Sequence, residues 1–463
     1  MTPQHFDLIV LGAGSSARDG AGKAARDYNA NVALAERVRW GGSCPNVACK
    51  PTKAYLVSAE LVHDVNELAG LLGIEVGRAK ANLARIKERK DSLKKPQPKW
   101  VEDLNDSGFT TFDGEASLVD ANTVRVGEEE ISADRILIAT GSRTAVPPID
   151  GIEEIDWIDH ISALELTELP DSLLVLGGGA VGLEFGQTFA RFGSRVTIVD
   201  ALERISARSD LDATNELTAA LEDEGIEVVV NTFVKRVVND GKEVVATLAP
   251  RDGGPERELR VSKVLLASGR VPNLEELDLD RAGIEYTKMG ITVDEHMRTS
   301  VDGIWAVGDV TAIAQFTPIA QYQARIAVDD MFTGEGPAAD YSILPTSIFT
   351  DPELAGVGLA EYEAAEQGFE VETVIHPLAS VQRASYTNTK HGLFKIVFDR
   401  SSRSVLGLHV VARGASDVIQ GYSLALKKGI TVDEIATAHH VFPTIGEGVK
   451  AAAEKARVPV SAA

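Results

Sequence analysis

The chain of 463 residues contains two cysteines, Cys44 and Cys49, and both fall in one short block, Trp40-Gly41-Gly42-Ser43-Cys44-Pro45-Asn46-Val47-Ala48-Cys49-Lys50-Pro51-Thr52-Lys53. Sulfur at that spacing admits few chemistries. A zinc site needs further Cys or His ligands, and the block has none nearby. Two cysteines are also too few for a disulfide framework. The thiols are then either small buried hydrophobes or a redox pair that closes a small, strained and easily reduced ring. That every cysteine sits in one motif points to redox chemistry.

The flanking sequence shows what must position such a pair. The apolar run DLIVL at 7–11 opens into Gly12-Ala13-Gly14-Ser15-Ser16-Ala17, and an alanine-rich helical pattern follows to about Tyr28. A second apolar run, 32–35, ends in Glu36, 24 positions after Gly12 and close to the ~20 of a βαβ dinucleotide-binding unit. The pattern then recurs. LLVL at 173–176 leads into Gly177-Gly178-Gly179-Ala180-Val181-Gly182, a helix to about Phe192 and a strand at 196–199 that ends in Asp200, 23 positions after Gly177. One such fingerprint is weak evidence, but two copies with an acid at matching distance are not a coincidence of turns. In each unit the first glycine allows a tight turn and the second lets a pyrophosphate approach the backbone, while the helix N-terminus offers unpaired N–H groups. Two dinucleotides are implied. Ala17 replaces the third glycine of the first unit and is small enough for close packing. Arg18 and Asp19 follow where an apolar pair is more usual, and they are read as a local ion pair or a contact to the acidic surface rather than as catalytic groups.

Between the units, the Lys-rich stretch 79–99 reads as helical, and a β-rich segment ends in RILIATG at 135–141. Pro147 and Pro148 mark a boundary, and the second unit closes near VLLASGR at 264–270. A further segment, 293–309, ends in Trp305-Ala306-Val307-Gly308-Asp309, a glycine and a carboxylate after an apolar strand. The remainder, 341–463, lacks a glycine fingerprint and has strands at 394–398 and 405–411, as in a separate α+β domain. The predicted fold class is α/β, with two Rossmann-like units and a C-terminal α+β domain. A composition of 44% hydrophobic and 25% charged residues is ordinary for a globular chain. The 46 Lys+Arg against 69 Asp+Glu leave a net charge of −23, which repels phosphate backbones and anionic lipid, so neither nucleic acid nor membrane is expected as a partner. No apolar stretch reaches the ~20 residues that span a bilayer, and the first apolar run lacks a basic leader, so a cytoplasmic protein is expected.

Over essentially its whole length the sequence resembles the FAD-dependent pyridine nucleotide-disulfide oxidoreductases, which include dihydrolipoamide dehydrogenase, glutathione reductase and mercuric reductase. The resemblance rests on GGxCxxxxCxPxK at 41–53, ATG at 139–141, GGGxxGxE at 177–184, GRxPN at 269–273, and GD at 308–309 followed by Thr317-Pro318, all in family order. It implies an FAD-binding domain from 1–150 and 273–340, an NAD(P)-binding domain at 151–272, and a dimerisation domain at 341–463 that makes a homodimer. FAD would be held by Gly12, Gly14, Ser15, Ser16, Gly42, Ser43, Lys53, Thr140, Gly141, Gly308 and Thr317, with Glu36 on the adenosine ribose and Asp309 on the ribityl chain. The nicotinamide nucleotide would be held by Gly177, Gly179, Gly182, Asp200, Gly269 and Arg270; no resident metal is implied. Cys49 would lie against the flavin as charge-transfer thiolate, and Cys44, nearer the opening, would be the interchange thiol. Lys53 and Glu184 correspond to an ion pair that stabilises negative charge on the reduced ring. Lys50 stands where the family has an apolar residue, either as a solvated surface lysine or as a charge that acts on Cys49.

One departure matters. Most disulfide reductases of this family end in His-Pro-Thr-x-x-Glu, whose histidine moves protons to and from substrate thiols in the partner subunit. Here the run is His439-His440-Val441-Phe442-Pro443-Thr444-Ile445-Gly446-Glu447, and Phe442 takes the histidine's place. Acid–base help, typically ~100- to 10,000-fold, is absent from that position. His440 is the candidate substitute, and Glu447 is kept without its imidazole. The stretch Glu447-Gly448-Val449-Lys450-Ala451-Ala452-Ala453 resembles mercuric reductases, which also lack the histidine but add a C-terminal cysteine pair. The run Val458-Pro459-Val460-Ser461-Ala462-Ala463 has no cysteine and no N-terminal metal-binding domain is expected, so efficient mercury reduction is not expected either, although Cys44 and Cys49 suit a soft ion. The expected function is electron transfer from NAD(P)H through flavin and the Cys44/Cys49 disulfide to a disulfide or soft metal ion. The alternatives are a quinone-reducing diaphorase with secondary cysteines, and a slow-turnover redox sensor. Asp200 predicts NADH over NADPH, against Arg204 and Arg208 in the following loop. Ala180 stands where some relatives place a tyrosine over the nicotinamide pocket.

Overall fold

A computed structural model describes residues 3–457. The run 458–463, on which the mercury expectation partly rests, lies outside them. The described residues form two compact units. One holds the residues up to Thr52 with Arg89–Ala145 and Gly269–Asp340; the other holds Lys53–Glu88, Val146–Ser268 and the residues from Tyr341 onward.

The first unit is built on a five-stranded parallel sheet, ordered Ile304–Ala306, Ile136–Ile138, Leu8–Leu11, Val32–Glu36, Thr110–Asp113. Leu8–Leu11 is apolar at every position because both faces of this central strand are covered. Each of those side chains contributes about 1.5–3 kcal/mol by leaving water. The helix Ser15–Tyr28 buries Ala17, Gly20, Ala21 and Ala24, small residues that bring it close to the sheet, and it ends at Asn29 in the left-handed region. Leu8–Leu11 is flanked on one side by the next strand in sequence and on the other by a much later one. Strand order therefore reverses at its carboxyl end, where open α/β sheets take their ligands.

The second unit repeats this arrangement. Its parallel sheet runs Glu227–Val229, Arg195–Val199, Ser172–Leu176, Lys263–Leu266, and the order reverses at Ser172–Leu176. The same unit carries an antiparallel sheet ordered Thr346–Ile348, Glu353–Gly358, Val405–Ala412, Leu393–Asp399, Val371–Pro377, packed by the helices Ala415–Lys427 and Glu447–Ala456. Lys395 on this sheet is 1% exposed and pairs with Asp210 at 2.9 Å, Asp212 at 2.6 Å and Glu361 at 2.7 Å. Asp210 is also the N-cap of the helix Leu211–Asp223, so one ammonium ties the antiparallel sheet to the dinucleotide-type half of the unit.

The helical stretch expected at 79–99 is two helices, Leu83–Ser92 and Gln97–Asp106. Pro96 separates them, because proline lacks the N–H that would continue the first helix and fits at the start of the second.

Candidate active site: a dithiol and two dinucleotide loops

The two glycine loops share one construction. Gly12 and Gly177 have φ of +106° and +111°, and a Cβ at either would lie 2.5 Å from a carbonyl oxygen, of Ala139 and Ala267 respectively. Only glycine fits. By contrast, a Cβ on Gly14 or Gly179 would meet nothing within 4 Å, and these residues start their helices without a side-chain cap. In both loops the acid that ends the second strand accepts from the residue after the first glycine. Glu36 accepts from Ala13 N at 2.9 Å and from Val38 N at 2.8 Å, and Asp200 accepts from Gly178 N at 2.7 Å and from Leu202 N at 2.7 Å. Open space over the second glycine, uncapped N–H groups and a fixed carboxylate suit a dinucleotide pyrophosphate and ribose. The residues present therefore fit FAD and a nicotinamide nucleotide.

Around the first loop, Ser16 is buried beneath Gly308, whose N–H donates to Gln323 Oε1 at 2.7 Å. Asp309 Oδ2 accepts from Ser142 Oγ at 2.5 Å. Arg270 donates from Nε to that same hydroxyl at 2.8 Å, so Gly269 and Arg270 stand with the first unit. Thr140 and Asn273 exchange hydrogen bonds at 3.1 and 2.9 Å, and Asn273 N donates to Gly141 O.

The cysteine block folds as a short helix, Ser43–Asn46, followed by the longer helix Cys49–His63. Asn46 is buried and donates to Trp40 O and Gly42 O at 3.0 and 2.7 Å, which fixes the turn that presents Cys44. Cys49 is the first residue of its helix, where the N-terminal dipole favours an anion. Both cysteines are thiols here, Cys44 half-buried and Cys49 exposed. Thr317 Oγ1 lies 3.8 Å from Cys49 Sγ. The Cys44 thiol is pulled down to about 6 by a hydrogen bond with Cys49, with help from Thr317 and the charges of Lys50 and Arg18, while burial opposes the shift. A thiol so placed is largely thiolate at neutral pH.

Further along the second helix, Lys53 Nζ donates to Glu184 Oε2 at 2.7 Å and sits 4.2 Å from the ring centre of Phe349. Glu184 also accepts from Phe349 N at 3.1 Å. In the C-terminal run, Phe442 is 72% exposed. Glu447 accepts from Gln382 N at 3.2 Å through one oxygen, while the other is buried without a hydrogen-bond partner. His440 Nε2 lies 3.2 Å from Tyr422 Oη, and burial pushes that phenol up to about 12. Among the described residues no cluster of three or more His, Cys, Asp or Glu is arranged to hold a metal ion.

One reading of the sequence changes. Arg18 and Asp19 do not pair with each other: Asp19 accepts from Nε and Nη2 of Arg325, at 2.6 and 3.1 Å, and Arg18 stacks on Trp100 with its guanidinium carbon 4.6 Å from the ring centre. The sequence offers no sign of Trp100 as a neighbour of the glycine loop. The unusual charge at position 18 was the available signal. Lys50 is exposed, as a solvated lysine would be, yet its charge reaches Cys44.

A family model described as the pyridine nucleotide-disulphide oxidoreductase matches residues 6–324, and one described as the dimerisation domain of the same family matches residues 344–453. Mercuric reductase of Lysinibacillus sphaericus is 35% identical over 454 residues, which cover 97% of this chain and 82% of that protein. Dihydrolipoyl dehydrogenase of Staphylococcus aureus is 33% identical over 465 residues, 98% of this chain and 97% of that protein. Among solved structures, the HOCl-induced flavoprotein disulfide reductase RclA from Escherichia coli matches with a TM-score of 0.86 at 29% identity, over 97% of this chain and 100% of that one. No helix among the described residues is long and apolar enough to cross a membrane.

Proposed function

Because the chain belongs to the pyridine nucleotide-disulphide oxidoreductase family, whose members depend on FAD and NAD(P)H, we propose that it oxidises NADH and delivers two electrons through Cys44 and Cys49 to a thiol-reactive acceptor, a disulfide or a soft metal ion. The observation that carries this reading is the cysteine block, which contains every cysteine in the chain and sets Cys44 and Cys49 in the first turns of two successive helices, with Thr317 Oγ1 3.8 Å from Cys49 Sγ. Bound FAD supplies the two-electron chemistry that connects nicotinamide to dithiol. Gly14, Glu36, Ser142 and Asp309 would hold it. Reduction breaks the Cys44–Cys49 bond and leaves two sulfurs that share the protons. The thiolate of Cys44 then attacks a disulfide acceptor or ligates a soft ion, and loss of two electrons to the acceptor re-forms the bond. Lys53, oriented by Glu184, supplies positive charge. The mercuric reductase relative and the Cu(II) complex solved for RclA favour a metal among the acceptors.

The preference for NADH rests on Asp200, whose carboxylate faces the second glycine loop and repels a 2′-phosphate. Arg204 does not offset it, since its Nη2 is spent on Ala207 O at 2.6 Å and Ser209 O at 3.3 Å. NADH is expected to give at least tenfold higher kcat/KM than NADPH, the worth of a hydrogen bond to a charged group. Steady-state rates with both nucleotides over lipoamide, glutathione disulfide, mercuric ion, cupric ion and quinones test nucleotide and acceptor together; an NADPH preference, or quinones as the fastest acceptors, would count against the proposal. The exposure of Phe442 favours a second reading, direct quinone reduction, which needs no imidazole. A homodimer is supported by the dimerisation-domain match and by exposed apolar side chains at Val57, Leu61, Leu71, Leu72, Ile74 and Val76.

A further inference from the structure

Half-buried cations in this chain are paired almost everywhere. Arg191 holds Glu224 and Asp351, and Lys395 holds three carboxylates. Arg18, in the first unit, has no carboxylate partner among the described residues. Its guanidinium stacks on Trp100, and its Nε is shut away from solvent with no hydrogen-bond partner among the described residues. The nearest carboxylate in sequence, Asp19, is taken by Arg325. In a chain with 69 acidic residues, an unpaired and partly desolvated guanidinium is not explained by a shortage of carboxylates.

The backbone shows which turn lies beside it. Gly42, at φ +71°, lies flat on the first glycine loop, since a Cβ there would be 2.4 Å from Gly14 Cα. Gly14 is the N-cap of the helix that carries Arg18, and Gly42 is the N-cap of the helix that carries Cys44, so the two first turns start from touching residues. Trp100 backs both of them. A Cβ on Gly41 would be 2.6 Å from the Trp100 ring, over which the Arg18 guanidinium carbon lies 4.6 Å from the centre. The charged and titratable groups around Cys44 are Cys49, the exposed Lys50 and Arg18, with Thr317 as a hydroxyl partner; Lys95, also over Trp100 at 4.2 Å, is engaged by Asp103.

We propose that Arg18 is the counter-cation of the Cys44 thiolate, a positioning residue that stabilises by charge what a residue at the place of Phe442 cannot stabilise by proton transfer. The inference rests on the dithiol reading above and names the group that replaces the missing imidazole. Lys50 contributes from solvent and is screened by salt, whereas Arg18, stacked and partly dry, is screened much less.

The test is the pH profile of Cys44 alkylation in the FAD-loaded, reduced protein. Iodoacetamide reports the thiolate directly: sulfur displaces iodide, a C–S bond forms as the C–I bond breaks, and mass spectrometry assigns the site. Arg18→Met is expected to move the midpoint up by about one pH unit, a roughly fivefold slower reaction at pH 6. Arg18→Lys should stay close to wild type, and the shift should survive about 0.5 M salt while that of Lys50→Met disappears. Arg18→Gln gives the same reading should the methionine variant fail to fold. A profile for Arg18→Met or Arg18→Gln that superimposes on wild type overturns the proposal, as does a shift abolished by salt. Turnover is not part of the measurement, so failure of the dithiol reading, seen as full acceptor activity in Cys44→Ala, is a separate result.

Discussion

Replacing Cys44 with alanine is expected to lower the reduction of disulfide or soft-metal acceptors on the order of 1,000-fold or more, the loss that accompanies removal of an attacking nucleophile. Nothing else among the described residues can take its place. Cys49 is the only other sulfur of this kind in the chain, and alone it cannot form the intramolecular bond that resets the site. The block around it should be little disturbed, because the turn is fixed by Asn46 and Gln97, which donate to Trp40 O, rather than by the thiol. Quinone reduction by the same variant separates the readings. If Cys44→Ala keeps its rate with every acceptor, the cysteines are secondary and direct reduction of quinones becomes the better account.

The largest stability effect should come from a residue remote from that chemistry. Lys395→Met removes the ammonium that three carboxylates share and leaves Asp210, 1% exposed, without its counter-charge. Breaking a buried pair from one side typically costs about 3–5 kcal/mol. Burial pushes the Asp210 carboxyl up, but positive charge from His409 and Lys395 outweighs it and holds the group below the ordinary range. Because burial also keeps His409 from taking up a proton, Lys395 carries most of this effect. A carboxyl whose folded pKa is depressed lends stability above its unfolded pKa and loses it as pH falls through the folded value. The gap between wild type and Lys395→Met should therefore be widest near pH 7 and narrow on acidification. Urea midpoints at pH 7 and at about pH 4, near the ordinary carboxyl pKa, check this. A loss under about 1 kcal/mol at pH 7 would mean that water or a shift of Glu361 replaces the ammonium.

Much of this site was legible in the sequence because its parts are local. The glycine loops, their helices and the acids Glu36 and Asp200 lie within single βαβ units, and spacing alone located them. The structure adds that each acid pins its own loop by accepting from Ala13 or Gly178. The cysteine motif was equally local. What could not be read were pairings between distant segments. Trp100 meets Arg18 and Gly41 only because the helix Gln97–Asp106 folds back on the loop, and Lys395 meets Asp210 only because its strand packs against the start of the helix Leu211–Asp223. Of the two readings of Arg18 and Asp19, a local ion pair or a contact to the acidic surface, the local pair does not form for the same reason: Arg325 on a remote helix takes Asp19 with a two-nitrogen fork. The helical reading of 79–99 takes no account of Pro96, where the run divides into two helices.

The claim on which the functional account depends is that Cys44 and Cys49 exchange electrons with the nicotinamide nucleotide. Counting thiols in the denatured protein, before and after one anaerobic equivalent of NADH is added to the oxidised FAD-loaded enzyme, tests it most directly. The count is predicted to rise from none to two per chain, the full cysteine content. A count that NADH leaves unchanged would contradict it.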